Sequence, residues 1–132
     1  MDNITSLLKE PGATVALVGA TDNPGKYGSI IYRDLKRKGF PVFAVNPHRA
    51  TVDGDPAYAT LADLPEKPTV VNIVVPPEET LRVLEQARDL GYMDVWVQPG
   101  AESARVLEFL EDAGFNYLAI ACIMVSAPQP VA

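Results

Sequence analysis

The chain predicts an α/β fold: a doubly wound parallel sheet of five strands in the order 3-2-1-4-5, with helices on both faces. Three observations carry that expectation. Short apolar runs alternate with segments of helical spacing. The runs are nearly continuous in Val, Ala and Ile, as strands buried on both faces are. Three helical segments close on glycine and then an aromatic residue, at Gly39-Phe40, Gly91-Tyr92 and Gly114-Phe115, which is how a helix reverses into a neighbouring parallel strand.

Taken in order, Asn3 to Lys9 reads as a short leading helix with Leu7 and Leu8 inward, and Ala13 to Val18 as the first strand, halted by Gly19. After the loop Gly19 to Gly28, the apolar residues Tyr27, Ile30, Ile31 and Leu35 recur at helical spacing toward a core, and Gly39 supplies the left-handed stop. Pro41 to Val45 is the second strand. Beyond Asn46-Pro47 a turn-rich stretch with Asp53-Gly54 leads to one helical turn at Leu61 to Leu64, then to the third strand, Val70 to Val75. Glu78 and Glu79 suit a first helical turn, and Leu81, Leu84, Ala87 and Leu90 trace the buried face of that helix. Asp94 to Gln98 is the fourth strand, Ala101 to Ala113 a helix with Val106, Leu107 and Leu110 inside, and Tyr117 to Ile123 the last strand.

The 132 residues suit a single domain, spanning 1–132. A formal charge of −6 argues against nucleic acid, whose phosphates call for a basic footprint. With one cysteine and one histidine there is no disulfide framework and no zinc ligand set. The lone Cys122 suits a reducing, cytoplasmic setting, and no apolar run approaches the roughly 20 residues that span a bilayer, nor is an address label visible, so no membrane contact is expected.

An open parallel sheet binds its ligand beyond the carboxyl ends of its strands, where the strand order reverses, and here the loops after Val18 and Val75 flank that point. The first loop carries Gly19, Gly25 and Gly28 with Lys26 among them, so backbone N–H groups and one ammonium can approach an anion at a helix start. A tight strand-to-helix turn would also use small residues there. Gly19 and Gly25 enclose five residues, and Tyr27 stands where a phosphate-transfer loop has its magnesium-binding hydroxyl, so ATP hydrolysis is not expected. The dinucleotide fingerprint is absent too, since Ala20-Thr21 follows Gly19. The second strand ends in Val45-Asn46-Pro47-His48-Arg49 without the acid that takes NAD ribose hydroxyls, and Arg49, with His48, suits a ribose phosphate.

Four stretches, Val18-Gly19-Ala20-Thr21, Val45-Asn46-Pro47, Val74-Val75-Pro76-Pro77 and Trp96-Val97-Gln98-Pro99-Gly100, run in order along nearly the whole chain. In them the sequence resembles the CoA-binding protein family related to the N-terminal domain of the succinyl-CoA synthetase α subunit. The resemblance implies a Rossmann-like domain that takes coenzyme A. It implies that Gly19, Ala20, Thr21, Gly25, Lys26, Gly28 and Ser29 cradle the pyrophosphate, and that Asn46, Pro47, His48 and Arg49 meet the adenosine and its 3′-phosphate. Val75, Pro76 and Pro77 would line the pantetheine path, with Gln98, Pro99 and Gly100 beside it. In the synthetase the phosphorylated histidine belongs to a second domain, so the resemblance carries binding and not catalysis.

His48 has no partnered nucleophile nearby in sequence and reads as a polar loop residue or ligand contact. Cys122, inside the apolar run from Leu118 to Met124, reads as a small packed hydrophobe, with a mixed disulfide to CoA as the alternative. Lys36, Arg37 and Lys38 complement a helix C-terminus, and Glu78, Glu79 and Glu102 suit helix starts. No carboxylate pair or catalytic triad stands out, and no catalytic residue is assigned. The leading expectation is a stand-alone binding protein for CoA or acyl-CoA that works with a separate protein partner or as a homo-oligomer. An NADP-binding oxidoreductase or redox sensor is the second reading, and an interaction module with an empty ancestral pocket is the third.

Overall fold

All four side chains of Val15, Ala16, Leu17 and Val18 are buried, and burial on both faces puts this strand at the centre of the sheet. A computed structural model describes residues 3–119, 121–126, 128 and 130. In chain order it contains α1 (Ile4–Leu8), β1 (Val15–Val18), α2 (Tyr27–Lys38), β2 (Val42–Val45), β3 (Thr51–Val52), β4 (Asp55–Tyr58), a 3-10 turn (Leu61–Asp63), β5 (Val70–Ile73), α3 (Pro77–Leu90), β6 (Asp94–Val97), α4 (Ala104–Asp112), β7 (Asn116–Ala119) and α5 (Ile123–Ser126). No helix among the described residues is long and apolar enough to cross a membrane.

The fold class is α/β with a Rossmann-like sheet, but the strand count and order differ from expectation. Among the described residues one sheet of seven strands runs β3-β4-β2-β1-β5-β6-β7. Every pairing is parallel except that of β3 with β4. In the expected order 3-2-1-4-5 the third strand, Val70 to Val75, lies outside the second. It pairs instead with β1, Val15 opposite Val70 through Val18 opposite Ile73, and ends before Val74. The outer place beside β2 belongs to β4, Asp55-Pro56-Ala57-Tyr58, within the stretch read as turns. A tetrapeptide that opens on an aspartate and an internal proline looks like a loop, and only its two neighbours make it a strand. With β4 counted as the third parallel strand, the reversal of order falls between β1 and β5, where the ligand crevice of a doubly wound sheet opens.

Alternation along the strands divides the core in two. Val15, Leu17, Val70 and Trp96 pack with Ile4, Leu8, Ile31, Tyr32, Leu35 and Ile123 of α1, α2 and α5. Ala16, Val18, Val71, Ile73, Val95 and Val97 pack with Leu61, Leu84, Ala87, Val106 and Leu110, from the 3-10 turn, α3 and α4, on the other face. Each large side chain so buried contributes about 1.5–3 kcal/mol relative to exposure.

Several inward faces are shifted from those expected. On α2, Tyr27 and Ile30 are 65% and 44% exposed, while Tyr32 is in the core. The buried stripe is Gly28, Ile31, Tyr32 and Leu35, a helical period that starts on a glycine, so a count of apolar side chains alone cannot find its origin. Leu90 is exposed and Leu107 half-buried. In α1 the fully buried residues are Ile4 and Leu8, with Leu7 packed more loosely beside them. The helix expected from Ala101 begins at Ala104, because the Ser103 hydroxyl accepts a bond from Val106 N (3.1 Å) and so caps it. The last strand, expected over Tyr117 to Ile123, spans Asn116–Ala119, and Ile123 opens α5; Ile120 lies outside the described residues.

The β3–β4 hairpin is fastened to α2. Arg33 grips Asp53 through two contacts (2.8 and 3.1 Å), Lys36 pairs with Asp55 (2.6 Å), and the Tyr32 hydroxyl donates to the same carboxylate (2.6 Å). The Arg33 guanidinium holds the Asp53 carboxyl below its ordinary range, and the bonds from Lys36 and then Tyr32 do the same for Asp55. Burial, reinforced by Asp55, keeps the Tyr32 phenol protonated well beyond its usual value. The hairpin follows the loop after β2 directly, so this clamp helps to position one wall of the crevice.

Candidate functional site

The loop after β1 is shaped by close approach of backbone to backbone. Gly19 has φ +103°, and a Cβ there would lie 2.7 Å from Val74 Cγ1. A Cβ on Gly28 would lie 2.0 Å from the Gly19 carbonyl oxygen. The first turn of α2 thus rests on the end of β1 with no room for any side chain. Gly25 is different: its φ is ordinary, and a Cβ would sit 3.6 Å from Asn23 Oδ1, a normal contact.

Within the loop, Asn23 N donates to Thr21 Oγ1 (3.2 Å) and Gly25 N to Asn23 Oδ1 (3.1 Å). Lys26 occupies the N-cap of α2 without a side-chain capping bond. Ser29 N and Ile30 N turn back to the Lys26 carbonyl, whereas the N–H groups of Tyr27 and Gly28 have no partner among the described residues. A twelve-residue helix therefore presents open amides and the positive end of its dipole at the crevice.

The loop after β2 forms the facing wall. Asn46 Nδ2 donates to the Ala20 carbonyl (2.9 Å), and Asn46 Oδ1 accepts from His48 N (2.8 Å). The Asn46 amide therefore ties the two loops together. Arg49 forms an ion pair with Asp22, across from the β2 loop to the β1 loop. Beyond β5, the Thr80 hydroxyl bonds to the carbonyls of Val75 and Pro76 (3.2 Å each), which fixes the turn into α3.

Three adjoining cavities lie along this edge of the sheet. The middle one is an open cleft of about 790 Å³. Gly19, Thr21, Gly25, Lys26 and Gly28 line it from the first loop, and Asn46, His48 and Arg49 from the second. Val75, Pro76, Pro77, Pro99 and Gly100 close its remaining sides. A second cavity, about 480 Å³, shares Gly19, Asn46, His48 and Val75 with the cleft and adds Pro47. A third, about 100 Å³, shares Tyr27, Val74 and Pro99 with the cleft and ends at Gln98 and Cys122. The expected site residues Ala20 and Ser29 line none of the three, since both are buried under the loop and the first helical turn.

The second cavity was not legible from the glycine and proline motifs. Thr60 and Leu61 form one wall and Glu79, Arg82, Val83 and Gln86 of α3 the other. Their spacing at 79, 82, 83 and 86 is one stripe of a helix, a signal present in the sequence that points to no site until the packing sets it opposite Thr60 and Leu61. Gln86 Oε1 accepts from Leu61 N (3.3 Å) and joins the two walls.

At the far end, Gln98 Nε2 donates to Cys122 Sγ (3.4 Å), and Gln98 Oε1 accepts from Ile123 N (2.9 Å). Asn72 Nδ2 donates to the Trp96 carbonyl (3.0 Å), and the buried Trp96 indole donates to Ala121 O (2.7 Å). Cys122 is thus not a packed strand residue: it is a half-buried free thiol at a crevice wall, set there because the chain has left the sheet before it.

A conserved hypothetical protein from Pyrococcus furiosus has a similar solved structure, with a TM-score of 0.84 and 44% identity over 87% of this chain and 99% of its own. Acetate–CoA ligase [ADP-forming] I of Archaeoglobus fulgidus is 33% identical over 72 residues, or 54% of this chain. The α subunit of acetate–CoA ligase [ADP-forming] II from Pyrococcus furiosus is 29% identical over 110 residues, or 78% of this chain. The chain spans 10% and 24% of the length of these two ligases. The CoA binding domain family matches residues 13–128, from the strand before the first loop to beyond the crevice thiol, and the chain belongs to that family.

Proposed function

We propose that this protein binds coenzyme A or an acyl-CoA in the crevice between the loops after β1, β2, β5 and β6, as a stand-alone cytoplasmic module with no catalysis of its own. The observation that carries the reading is the succession of three adjoining cavities around a bare helix N-terminus. Coenzyme A has a nucleotide at one end, a pyrophosphate in the middle and a long thiol-bearing arm, and it matches that succession in order. The open amides of Tyr27 and Gly28, the Gly19 and Gly25 loop with Thr21, and the Lys26 ammonium receive the pyrophosphate. The cavity between Pro47-His48 and α3 takes the adenosine, with Arg49 and Arg82 as the cations near its phosphate. Val75, Pro76, Pro77, Pro99 and Gly100 line the path of the arm, and Gln98 stands near its thiol end. Ala20 and Ser29 act only by shaping the loop.

Family membership and the relatives named for CoA ligation support the ligand class. The ligases' own reaction belongs to much longer chains, of which this chain matches 10% and 24% of the length, so the likeness supports binding and not the ligases' reaction. A thermal-shift series with CoA, acetyl-CoA, dephospho-CoA, NAD, NADP and ATP tests the proposal. Ligand at about a hundred times its Kd adds about 2.7 kcal/mol to native stability, a rise on the order of 5–10 °C for a chain of this size. CoA is expected to produce that rise and NAD none. A response to NADP without one to CoA overturns the assignment.

A further inference from the structure

We propose that Asp22 is a specificity-determining residue: it occupies Arg49 as an internal anion and so limits how strongly the crevice favours a ligand that carries a phosphate monoester on its ribose. The inference rests on the CoA reading and extends it to a residue outside the four stretches that carry the family resemblance. Asp22 is the only acid in the loop from Gly19 to Gly28, the loop that faces the ligand's pyrophosphate. A carboxylate there opposes an anionic ligand unless it is neutralised, and Arg49 neutralises it from across the crevice.

The pairing is a single contact, Arg49 Nη1 to Asp22 Oδ1. The remaining donors of the guanidinium have no partner among the described residues, and Arg49 lines the open cleft. A guanidinium offers five N–H donors, so a phosphate can bind the same group while Asp22 stays attached. Its attraction is then reduced by the carboxylate already there. Both side chains are more than a third exposed, 39% for Arg49 and 35% for Asp22, so solvent screens the pair and the effect is modest. Asp22 therefore tempers the preference for CoA over dephospho-CoA, which differ only in that phosphate.

Isothermal titration of CoA and dephospho-CoA against the wild type, Asp22→Asn, Asp22→Ser, Arg49→Ala and Asp22→Asn/Arg49→Ala tests this. Removing the carboxylate is expected to raise the ratio of dephospho-CoA Kd to CoA Kd by about two- to fivefold, the range of an exposed ion pair. In the Arg49→Ala background the same change should leave the ratio unmoved. The serine variant removes the charge with a different shape and keeps the test open if the asparagine variant misfolds. An unchanged ratio in folded single variants overturns the proposal. A lower ratio also overturns it, by showing that Asp22 orients Arg49 for the ligand. If the wild type binds neither ligand, the CoA reading fails and this inference falls with it; if both bind and only the ratio fails to respond, the CoA reading stands.

Discussion

Replacing Gly28 by alanine tests whether the crevice depends on direct contact between the first turn of α2 and the end of β1. The new Cβ would stand 2.0 Å from the Gly19 carbonyl oxygen and 3.0 Å from its carbon, both backbone atoms with no flexible side chain to yield. Relief requires the helix start or the strand end to move by more than an ångström. Overpacking of this kind costs about 1–3 kcal/mol, and a backbone-on-backbone clash belongs at or above the upper end of that range. For a chain of this size a loss at that upper end corresponds to a fall in Tm of about 10 °C or more. Displacing the helix start also carries the open amides of Tyr27 and Gly28 out of line, so CoA affinity should fall by more than tenfold even in protein that remains folded. Gly25→Ala is the internal control: its Cβ meets only Asn23 Oδ1 at 3.6 Å and its φ is ordinary. Stability should then change by less than about 0.5 kcal/mol, with a slight gain possible through the unfolded chain. Thermal melting with CoA titration of both variants decides the matter. Equal effects of the two substitutions, or a Gly28→Ala protein as stable as the wild type, would refute the close-packing argument.

Lys26→Ala should weaken CoA and dephospho-CoA alike, by roughly tenfold to a hundredfold, the worth of a charge-assisted bond to the shared pyrophosphate; calorimetry showing loss for only one of them contradicts that placement. For acid stability the sign follows from Asp53 and Asp55, whose carboxyls are held low by Arg33 and by Lys36 with Tyr32. Their contribution is complete above the ordinary carboxylate value of about 4 and is lost as pH falls through the lower folded-state values. Tm measured from pH 7 down to 3 should drop less steeply for Asp55→Asn than for the wild type, and parallel curves would exclude the clamp as a source of acid lability. The Tyr32 phenol, kept protonated by burial and Asp55, acts in the opposite direction. Its contribution is whole below about pH 10 and is lost above it, so Tyr32→Phe should flatten the alkaline limb of the same profile.

The elements that could be read without coordinates are those whose cause is local. The buried runs of β1, β2, β5 and β6 follow from apolar side chains at consecutive positions, and α2 and α3 end at Gly39 and Gly91 because a left-handed residue must sit there. The glycine loop and the Asn46 to Arg49 turn are legible for the same reason, whereas the two proline stretches enter the site only through the family resemblance; most residues of all four line one cleft.

What the tertiary structure alone decided is every relation between distant segments. A strand such as Asp55–Tyr58 exists through its bonds to β2 and β3, not through its composition, and the order of the sheet depends on it; the cavity walled by Arg82 and Gln86 exists only because α3 packs opposite Thr60 and Leu61. The inward face of α2 depends on what Gly28 touches, 9 residues earlier in the chain, at Gly19. Arg49 was visible as a cation, but its partner Asp22 lies 27 positions away and meets it only when two loops fold to the same edge. Cys122 moved from packed strand to crevice wall because the chain leaves the sheet at Ala119. Periodicity and turn chemistry act over a few residues and determined the pieces; parallel pairing and loop convergence act across the whole chain, and they determined which pieces meet.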